Sequence, residues 1–401
     1  MAGILIEKYR SKSKLILIVA IIYNVGQLLY FKYTDFFIDN INNIFNLNIN
    51  LFRIIMPIGI SFFTFQTLSY VIDVYKKEVK ASKSFINFTT YVSLFPQLVA
   101  GPIVRYKTVE KELKNRKVNY TDFGNGVKRF IIGLSKIVLI ANILGELCTS
   151  IVGMNEVTIV GSWINSIAFT LQIYFDFSGY SDMAIGLGLM FGFHFLENFN
   201  YPFIAKSITD FWRRWHIYLS TFFRDYVYIQ LGGNRVNKLK LFRNIFIVWF
   251  LTGFWHGAAW NFIIWGLFFA LLLILEKNIW GKYLEKTKIF KYIYTLFFVV
   301  ISFTIFNANS FNEVIDSLKN MFFINRIGFI NAETIYHIKN YLVILIIGVI
   351  ASTPILKKLI QKIKYKKVIS ILEIIYYFVL LILVTSFLID SSFNPFLYFR
   401  F

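Results

Sequence analysis

The sequence predicts an all-α membrane protein: a polytopic bundle of transmembrane helices, some of them broken or re-entrant, around a central funnel or tunnel. Three observations predict this class. Of 401 residues, 57% are apolar or aromatic and only 16% are charged, whereas charged residues make up about 25% of soluble domains. Aromatic residues reach 19%, which suits a lipid-facing surface with Tyr and Trp at headgroup level. Finally, long apolar segments alternate with short basic ones.

The net charge of +20 comes from 42 Lys and Arg residues against 22 Asp and Glu residues. Nucleic acid is one class of partner for so basic a chain, and an anionic membrane surface is the other. The basic residues lie in short clusters between apolar segments, for example at 76–83, 105–117 and 357–367. Such clusters are typical of the loops that set membrane topology. We therefore predict membrane lipid, and no nucleic acid, as a partner.

The cysteine content and the N-terminal segment exclude some kinds of organisation. Cys148 is the single cysteine, which excludes an intramolecular disulfide and a cysteine-based zinc site. A basic patch and the apolar stretch 15–31 open the chain, and no small-residue cleavage site follows, so we expect a retained membrane helix. We predict one membrane domain over residues 1–401, with a core at 51–276 and C-terminal helices at 289–401.

Crossing a bilayer takes about 20 mostly apolar residues. Candidate segments are 15–33, 54–74, 85–104, 130–148, 157–177, 183–195, 245–255, 260–275, 293–306, 341–356 and 368–389. Segment 85–104 is interrupted by Pro96, Gly101 and Pro102, and both 183–195 and 245–255 are too short to cross alone. Irregular backbone at membrane depth must be buried in protein or line a cavity, so the middle of the chain is expected to surround one. Residues 155–156 and 311–334 are predicted as polar loops.

Segment 208–228 mixes aromatic rings with charges, which predicts an interfacial amphipathic helix. Thr209 or Asp210 can cap its start. Four apolar residues fall on one helical face: Phe211, Trp215, Leu219 and Phe222. The arginines of this segment can bind phosphate or pair with its aspartates, and His216 lies among them. The glycine pair in Leu231–Arg235 predicts a tight turn.

His256 is the strongest candidate for chemistry. It lies between two apolar segments, among small residues: Gly253, Gly257, Ala258 and Ala259. Trp255 and Trp260 can supply the walls of a pocket there. An imidazole in such a pocket suits a general base for a hydroxyl or thiol, because its pKa lies near neutrality. The alternative is a satisfied polar residue at a helix break.

Asp176 and Asp182 form a second candidate group, in YFDFSGYSDM (174–183). Carboxylates are costly against lipid, so we expect both at a bend that faces the cavity. A role in helix positioning is the alternative. No histidine stands at metal-ligand spacing from them, and we predict no metal site.

Seven segments together resemble the membrane-bound O-acyltransferase family, in its alginate O-acetyltransferase-like branch. They run in family order over nearly the whole chain: PIGISFFTFQTLSYVIDVY (57–75), LFPQLVAGPIVRY (94–106), YFDFSGYSDMAIGLG (174–188), NFNYPF (198–203), DFWRRWHIYLSTFFRDYVYIQLGGNR (210–235), TGFWHGAAWNFIIWG (252–266) and NPFLYFRF (394–401). D-Alanine transferases that modify teichoic acid share several of these pieces.

The resemblance implies a bacterial plasma-membrane enzyme that passes an acetyl group from a cytoplasmic donor to a cell-surface polysaccharide. It implies His256 and His216 as catalytic residues, and it places Asp176, Asp182, Arg214, Trp255 and Asn261 in the cavity or its scaffold. It also implies acetyl-CoA as the donor, with no permanently bound cofactor. The acceptor is expected to be an extracytoplasmic polysaccharide or a secreted esterase-like acetyltransferase partner.

Two departures from the family pattern stand out. Members usually begin with about two more membrane helices than this sequence, and they tend to carry an arginine where Asn307 stands here. Two other functions stay open at this point. One is a transporter or flippase for an acylated lipid or saccharide, because broken helices around a cavity suit it equally. The other is an inactive scaffold of a surface-polymer complex.

Overall fold

The structure, a computed structural model, describes residues 1–98, 101–362 and 366–390. Over these ranges the regular structure is helical, without a β-strand. Within the described residues, six segments are long and apolar enough to cross a membrane: Arg10–Phe45, Tyr120–Val152, Trp260–Lys286, Phe290–Asn307, Ala332–Ala351 and Ile371–Ile389. These findings confirm the predicted class of a polytopic helical membrane protein. The predicted C-terminal motif 394–401 lies outside the described residues.

The first part of the chain, up to the break at residue 216, contains ten α-helices within the described ranges. They are α1 (Ala2–Lys8), α2 (Ser13–Phe45), α3 (Ile60–Tyr75), α4 (Phe85–Ser93), α5 (Phe95–Leu98), α6 (Tyr106–Asn115), α7 (Tyr120–Ser135), α8 (Asn142–Val152), α9 (Ile159–Met190) and α10 (Ile208–Trp212). A π-helical turn, Lys136–Ala141, joins α7 to α8.

The second part contains nine further α-helices in the described residues. They are α11 (Ile217–Phe223), α12 (Lys238–His256), α13 (Trp260–Leu275), α14 (Gly281–Lys286), α15 (Phe290–Asn307), α16 (Phe311–Met321), α17 (Ala332–Ala351), α18 (Ile355–Gln361) and α19 (Lys366–Asp390). π-helical turns follow α11, at Arg224–Tyr228, and α13, at Glu276–Trp280.

Helices α7 and α9 pack with their backbones almost in contact. A Cβ added at Gly126 would lie 2.5 Å from the carbonyl oxygen of Gly186, and one at Gly133 would lie 2.5 Å from that of Gly179. The two glycines of each helix are seven residues apart, so they lie on one helical face. Small residues at such an interface let membrane helices approach closely. Both glycine pairs are therefore part of the packing.

Gly133→Ala is expected to lower the unfolding temperature in detergent. The new methyl group would meet the backbone of α9, and overpacking of this kind costs about 1–3 kcal/mol. Gly124→Ala on the same helix is the matched control, because nothing lies within 4 Å of its added Cβ. That variant should keep or raise stability through helix propensity. Equal behaviour of the two variants would contradict the role of the close contact.

The predicted irregular segment 85–104 is broken as expected. Helix α4 ends at Ser93, α5 is one short turn, and the chain then runs without helix from Gly101 to Arg105. Pro96, Gly101 and Pro102 are buried, as backbone without regular hydrogen bonds must be at membrane depth. The predicted turn at 231–235 is also present, with positive φ angles at Gly232 and Gly233.

Three expectations were wrong. Segments 157–177 and 183–195 are not separate, because α9 runs unbroken from Ile159 to Met190; Asp176 and Asp182 lie inside this helix and not at a bend. The predicted loop 311–334 contains α16. Segment 208–228 is two short helices and a π-turn instead of one amphipathic helix, and its start is capped by the Ser207 hydroxyl, which accepts from Asp210 N.

Candidate active site

The C-terminal end of α12 carries His256, and a close crossing with α13 holds that end in place. A Cβ added at Gly253 would lie 2.3 Å from the carbonyl oxygen of Phe262, and one at Gly266 would lie 2.3 Å from that of Trp249. Side chains at these two positions would push the helices apart. The small residues noted in the sequence thus bring His256 against α13.

Aromatic rings surround the imidazole of His256. Its ring centroid lies 4.9 Å from Trp265, 5.0 Å from Trp255 and 5.4 Å from Phe306. The residue is only 6% exposed, and among the described residues neither ring nitrogen has a hydrogen-bond partner. A buried polar group without a partner is costly. Such a group in an apolar pocket is available to a substrate, as an acceptor or a donor of a proton.

His216 lies at the break between α10 and α11, in the left-handed backbone region with φ 42°. Asn198, from the segment NFNYPF, stabilises this break. Its side-chain oxygen accepts from the backbone N–H of Tyr218 at 3.3 Å and contacts Nδ1 of His216 at 3.2 Å. The backbone N–H of Ile217 donates to the carbonyl oxygen of Asn198 at 3.0 Å. Hydrogen bonds to a neighbouring loop thereby stabilise His216 in this strained conformation.

The contact with Asn198 fixes which nitrogen of His216 carries the proton. The amide Nδ2 of Asn198 lies 3.1 Å from Ser181 Oγ, to which it donates, so Oδ1 faces the imidazole and can only accept. Nδ1 therefore carries the hydrogen, and Nε2 presents a lone pair in the neutral ring. Nε2 is buried without a partner among the described residues.

The structure brings the two predicted histidines to one place. The Trp255 indole lies 6.1 Å from the His216 ring and 5.0 Å from the His256 ring. Trp255 itself is fixed, because its Nε1 donates to the backbone oxygen of Ser61 at 3.2 Å. Asn261 is the second residue of α13, and its Nδ2 donates to the backbone oxygens of Phe306 and Ala308. Trp255 thus forms a wall of the pocket, and Asn261 fixes the end of α15 that carries Phe306.

Both aspartates are buried in α9, and the ion-pair partners of Asp182 are two cations. Asp182 lies between α9 and α7, where it accepts hydrogen bonds from Arg129 at 2.7 and 2.9 Å and from Lys136 at 2.6 Å. It lines neither of the two cavities described below. Asp176 is buried in α9, 5% exposed. For Asp182 the contacts favour the alternative of helix positioning.

A cavity of about 1020 Å³ opens beside Arg214. Its walls come from α10 to α14 and the start of α15. Its charged lining residues are seven cations and three carboxylates: Lys206, Arg213, Arg214, Arg224, Lys277, Lys282, Lys291, Asp210, Glu276 and Glu285. Arg214 pairs with Asp210 at 2.9 Å, and Glu276 accepts from the backbone N–H groups of Ile208 and Thr209. The other charged lining residues are six cations and one carboxylate, so this part of the lining is strongly basic.

Aromatic rings connect this cavity to His256. Trp249 lines the cavity, and its ring lies 4.5 Å from that of Trp212. Trp212 lies 5.7 Å from Trp265, which contacts His256. A layer of indoles therefore separates the basic cavity from the imidazole.

A second, smaller cavity of about 210 Å³ lies at the other end of α15. Lys291 at the start of α15 lines the basic cavity, whereas Thr304, Asn307 and Ala308 at its end line this one. An 18-residue helix is roughly 27 Å long, so the two cavities lie on opposite sides of the bundle. The smaller one has hydroxyl and amide groups in its walls, including Ser162, Asn165 and Ser317.

His194 lies away from these cavities, in the exposed segment after α9. Its Nδ1 contacts Glu112 at 2.8 Å and its Nε2 contacts Asp122 at 3.3 Å. The hydrogen bond with Glu112 and the neighbouring carboxylates raise the pKa of His194 above its usual value. This histidine is thus a partner of surface carboxylates.

The family of the chain follows from comparison with known proteins. Residues 76–314 match the model of MBOAT, the membrane-bound O-acyltransferase family, and this stretch is more than half of the chain. The chain belongs to the membrane-bound O-acyltransferase family. His216, His256 and the basic cavity all lie within the matched stretch.

Several curated proteins are similar to this family member. The probable alginate O-acetylase AlgI of Pseudomonas aeruginosa is 43% identical over 299 residues, which cover 73% of this chain and 58% of that protein. The peptidoglycan O-acetyltransferase of Helicobacter pylori is 37% identical over 350 residues, 79% of this chain and 66% of that protein. The teichoic acid D-alanyltransferase of Bacillus subtilis is 30% identical over 282 residues, 65% of this chain and 71% of that protein. The chain thus spans less than two thirds of the length of AlgI.

Two groups that shape the candidate site have no role in the sequence-based predictions. Asn198 is one of them, although a polar amide between Glu197 and Phe199 in a membrane chain is a signal for a buried hydrogen bond. Lys32 and Tyr33 lie in α2 and contact the end of α12. A lysine within an apolar segment was the available signal there.

Proposed function

We propose that the chain transfers an acetyl group from cytoplasmic acetyl-CoA, across the membrane, to a hydroxyl of a cell-surface polysaccharide or of a secreted partner protein. One observation carries this proposal: the buried imidazole of His256, which has no hydrogen-bond partner among the described residues, lies between a basic cavity and a polar cavity on opposite sides of the bundle. Membership of an O-acyltransferase family and the relatives named above support it.

The basic cavity suits the donor. CoA carries several phosphates, and lysine and arginine side chains bind phosphate through charge-assisted hydrogen bonds. Lys206, Arg213 and Lys282 line the cavity and make no ion pair within the described part of the chain, so they are available for an anion. Basic loops favour the cytoplasmic side, which is where acetyl-CoA is made available.

His256 would act as the general base. In this proposal an imidazole nitrogen of His256 takes the proton of the acceptor hydroxyl, and the oxygen of that hydroxyl attacks the thioester carbonyl. The carbon–sulfur bond breaks, and the CoA thiolate leaves and takes up the proton from the His256 imidazolium, which restores the neutral base. His216, whose Nε2 has no partner in the described part of the chain, lies across Trp255 and would assist a proton transfer or hold the acyl carbonyl in place. The aromatic walls exclude water, which protects the thioester from hydrolysis.

The small polar cavity suits an acceptor hydroxyl. Its hydroxyl and amide groups match the hydrogen bonding of a sugar or of a serine side chain. Asn307, in this lining, stands where an arginine was expected. A neutral amide at this place would favour an uncharged acceptor group.

The test uses purified protein in sealed vesicles, with [acetyl-¹⁴C]acetyl-CoA added on one side and a surface polysaccharide extract enclosed on the other. Ester-bound label on the polysaccharide is expected, and alkali should release it. Acetyl-CoA that stays intact, with and without extract from the native cell envelope, would overturn the proposal. A transporter would instead move an acylated lipid or saccharide without consuming a thioester.

Reversing charges in the basic cavity should weaken donor binding. Lys206→Glu combined with Arg213→Glu is expected to raise the KM for acetyl-CoA by about tenfold or more at low salt, with a small change in kcat. Both side chains are exposed, so the fold should persist. Lys288→Glu is the matched control, since this exposed lysine does not line the cavity. Equal KM values in the two proteins would exclude this cavity as the donor site.

A further inference from the structure

Lys32 is a charged residue in the middle of the apolar helix α2. Its Nζ donates to the backbone oxygen of Trp255 at 2.9 Å and to that of His256 at 2.8 Å. Within the described part of the chain it makes no ion pair. A lysine in a membrane segment is expensive and needs polar partners. The partners here are the last carbonyl groups of the helix that carries His256.

The end of α12 needs such donors. The last four carbonyl groups of an α-helix have no partner within the helix, and Gly257 follows α12 in extended conformation, with no capping N–H of its own. The hydroxyl of Tyr33 donates to the backbone oxygen of Phe254. Two successive residues of α2 therefore satisfy the carbonyls of 254–256.

Helix α2 contacts residues both before and after the 257–259 connection. The Tyr33 ring stacks on Phe254 at 4.1 Å between centroids. Seven residues further along α2, Asn40 Oδ1 accepts from the indole Nε1 of Trp260 at 2.8 Å. The connection that follows His256 is thus held at both ends by α2.

We propose that Lys32 is a positioning residue for His256. The His256 side chain has no hydrogen-bond partner in the described chain, so its place is set by its backbone and by the surrounding rings. Lys32 fixes that backbone by capping the last turn of α12. The inference rests on the proposed role of His256. It also extends the site beyond residues 76–314, because α2 precedes the segment that matches the family.

Lys32→Met removes the donors and keeps an unbranched apolar side chain, whereas Lys32→Arg keeps the charge and the donors. In Lys32→Met, amide hydrogen exchange of the peptide 250–262, followed by mass spectrometry in detergent, is expected to be about tenfold faster. The kcat for acetyl transfer is expected to fall by about ten- to a hundredfold, with the KM for acetyl-CoA unchanged. Lys32→Arg should restore both quantities.

Thr34→Val is the control, because the hydroxyl of Thr34 bonds only to Tyr30 O within α2; exchange at 250–262 should match that of the unmodified protein. If Lys32→Met does not fold, Lys32→Gln takes its place; its shorter side chain carries no charge, and faster exchange of that peptide is expected. Unchanged exchange in the folded variants, or an arginine variant that behaves like the methionine variant, would overturn the inference. The exchange measurement needs no activity, so it remains decisive even if the unmodified protein transfers no acetyl group.

Discussion

Acetyl transfer is expected to fall by about a thousandfold or more when His256 is replaced by Gln. Glutamine still offers a hydrogen-bond donor and acceptor, but it does not take up a proton near neutral pH. The loss would therefore measure proton transfer. The unfolding temperature should stay the same or rise slightly, because the imidazole gives up no hydrogen bond with the described residues. Label transfer in sealed vesicles and thermal unfolding in detergent provide the two measurements.

His194→Gln is the matched control for this experiment. It makes the same replacement at an exposed histidine whose partners are Glu112 and Asp122, and it should leave acetyl transfer unchanged. Full activity of His256→Gln would remove the general base from the proposed mechanism. A loss of activity together with a large loss of stability would show that His256 serves the fold.

The candidate site was predictable where its chemistry is local in sequence. His256 stands among glycines and alanines between two apolar segments, and the structure shows why: Gly253 lies at the crossing with α13, where a side chain would meet backbone. The break after α4 was likewise marked by Pro96, Gly101 and Pro102. In both cases the residue types themselves limit what the backbone can do.

The break at His216 was not predictable in this way. Residues 208–228 have an acceptable helical pattern, and no glycine or proline interrupts them. The helix ends because Asn198 pairs with the backbone of Ile217 and Tyr218. Such bonds between distant parts of the chain override local propensity. The capping of α12 by Lys32 is of the same kind, since 223 positions separate Lys32 from Trp255.

The sequence predicts a bend at Asp176 and Asp182 because carboxylates are costly against lipid, whereas α9 is continuous through both residues. Gly179 lies at the contact with α7, and Asp182 has two cations of α7 and of the following turn as partners. A glycine or an aspartate inside a membrane helix therefore has two explanations, a break or a partner helix. These two explanations can be distinguished only when the neighbouring helix is known.

Asp182→Asn is expected to lower the free energy of unfolding by about 3–5 kcal/mol, because removing one partner of a buried ion pair leaves uncompensated charge. Asp182 is only 9% exposed, and it is a shared partner of Arg129 and Lys136. Arg129 keeps Glu197 as a second partner, whereas no other ion pair of Lys136 occurs among the described residues. Unfolding in mixed detergent micelles, followed by circular dichroism, measures the change.

Glu373→Gln is the matched control, since it removes the same charge from the pair with Lys128, the neighbour of Arg129 on α7. The side chains of that pair are 41% and 38% exposed, and exposed pairs contribute about 0–1 kcal/mol. A large loss in Asp182→Asn beside a small one in Glu373→Gln would establish Asp182 as the ionic link between α7 and α9. Equal small losses would mean that packing, and not the ion pairs of Asp182, holds these helices together.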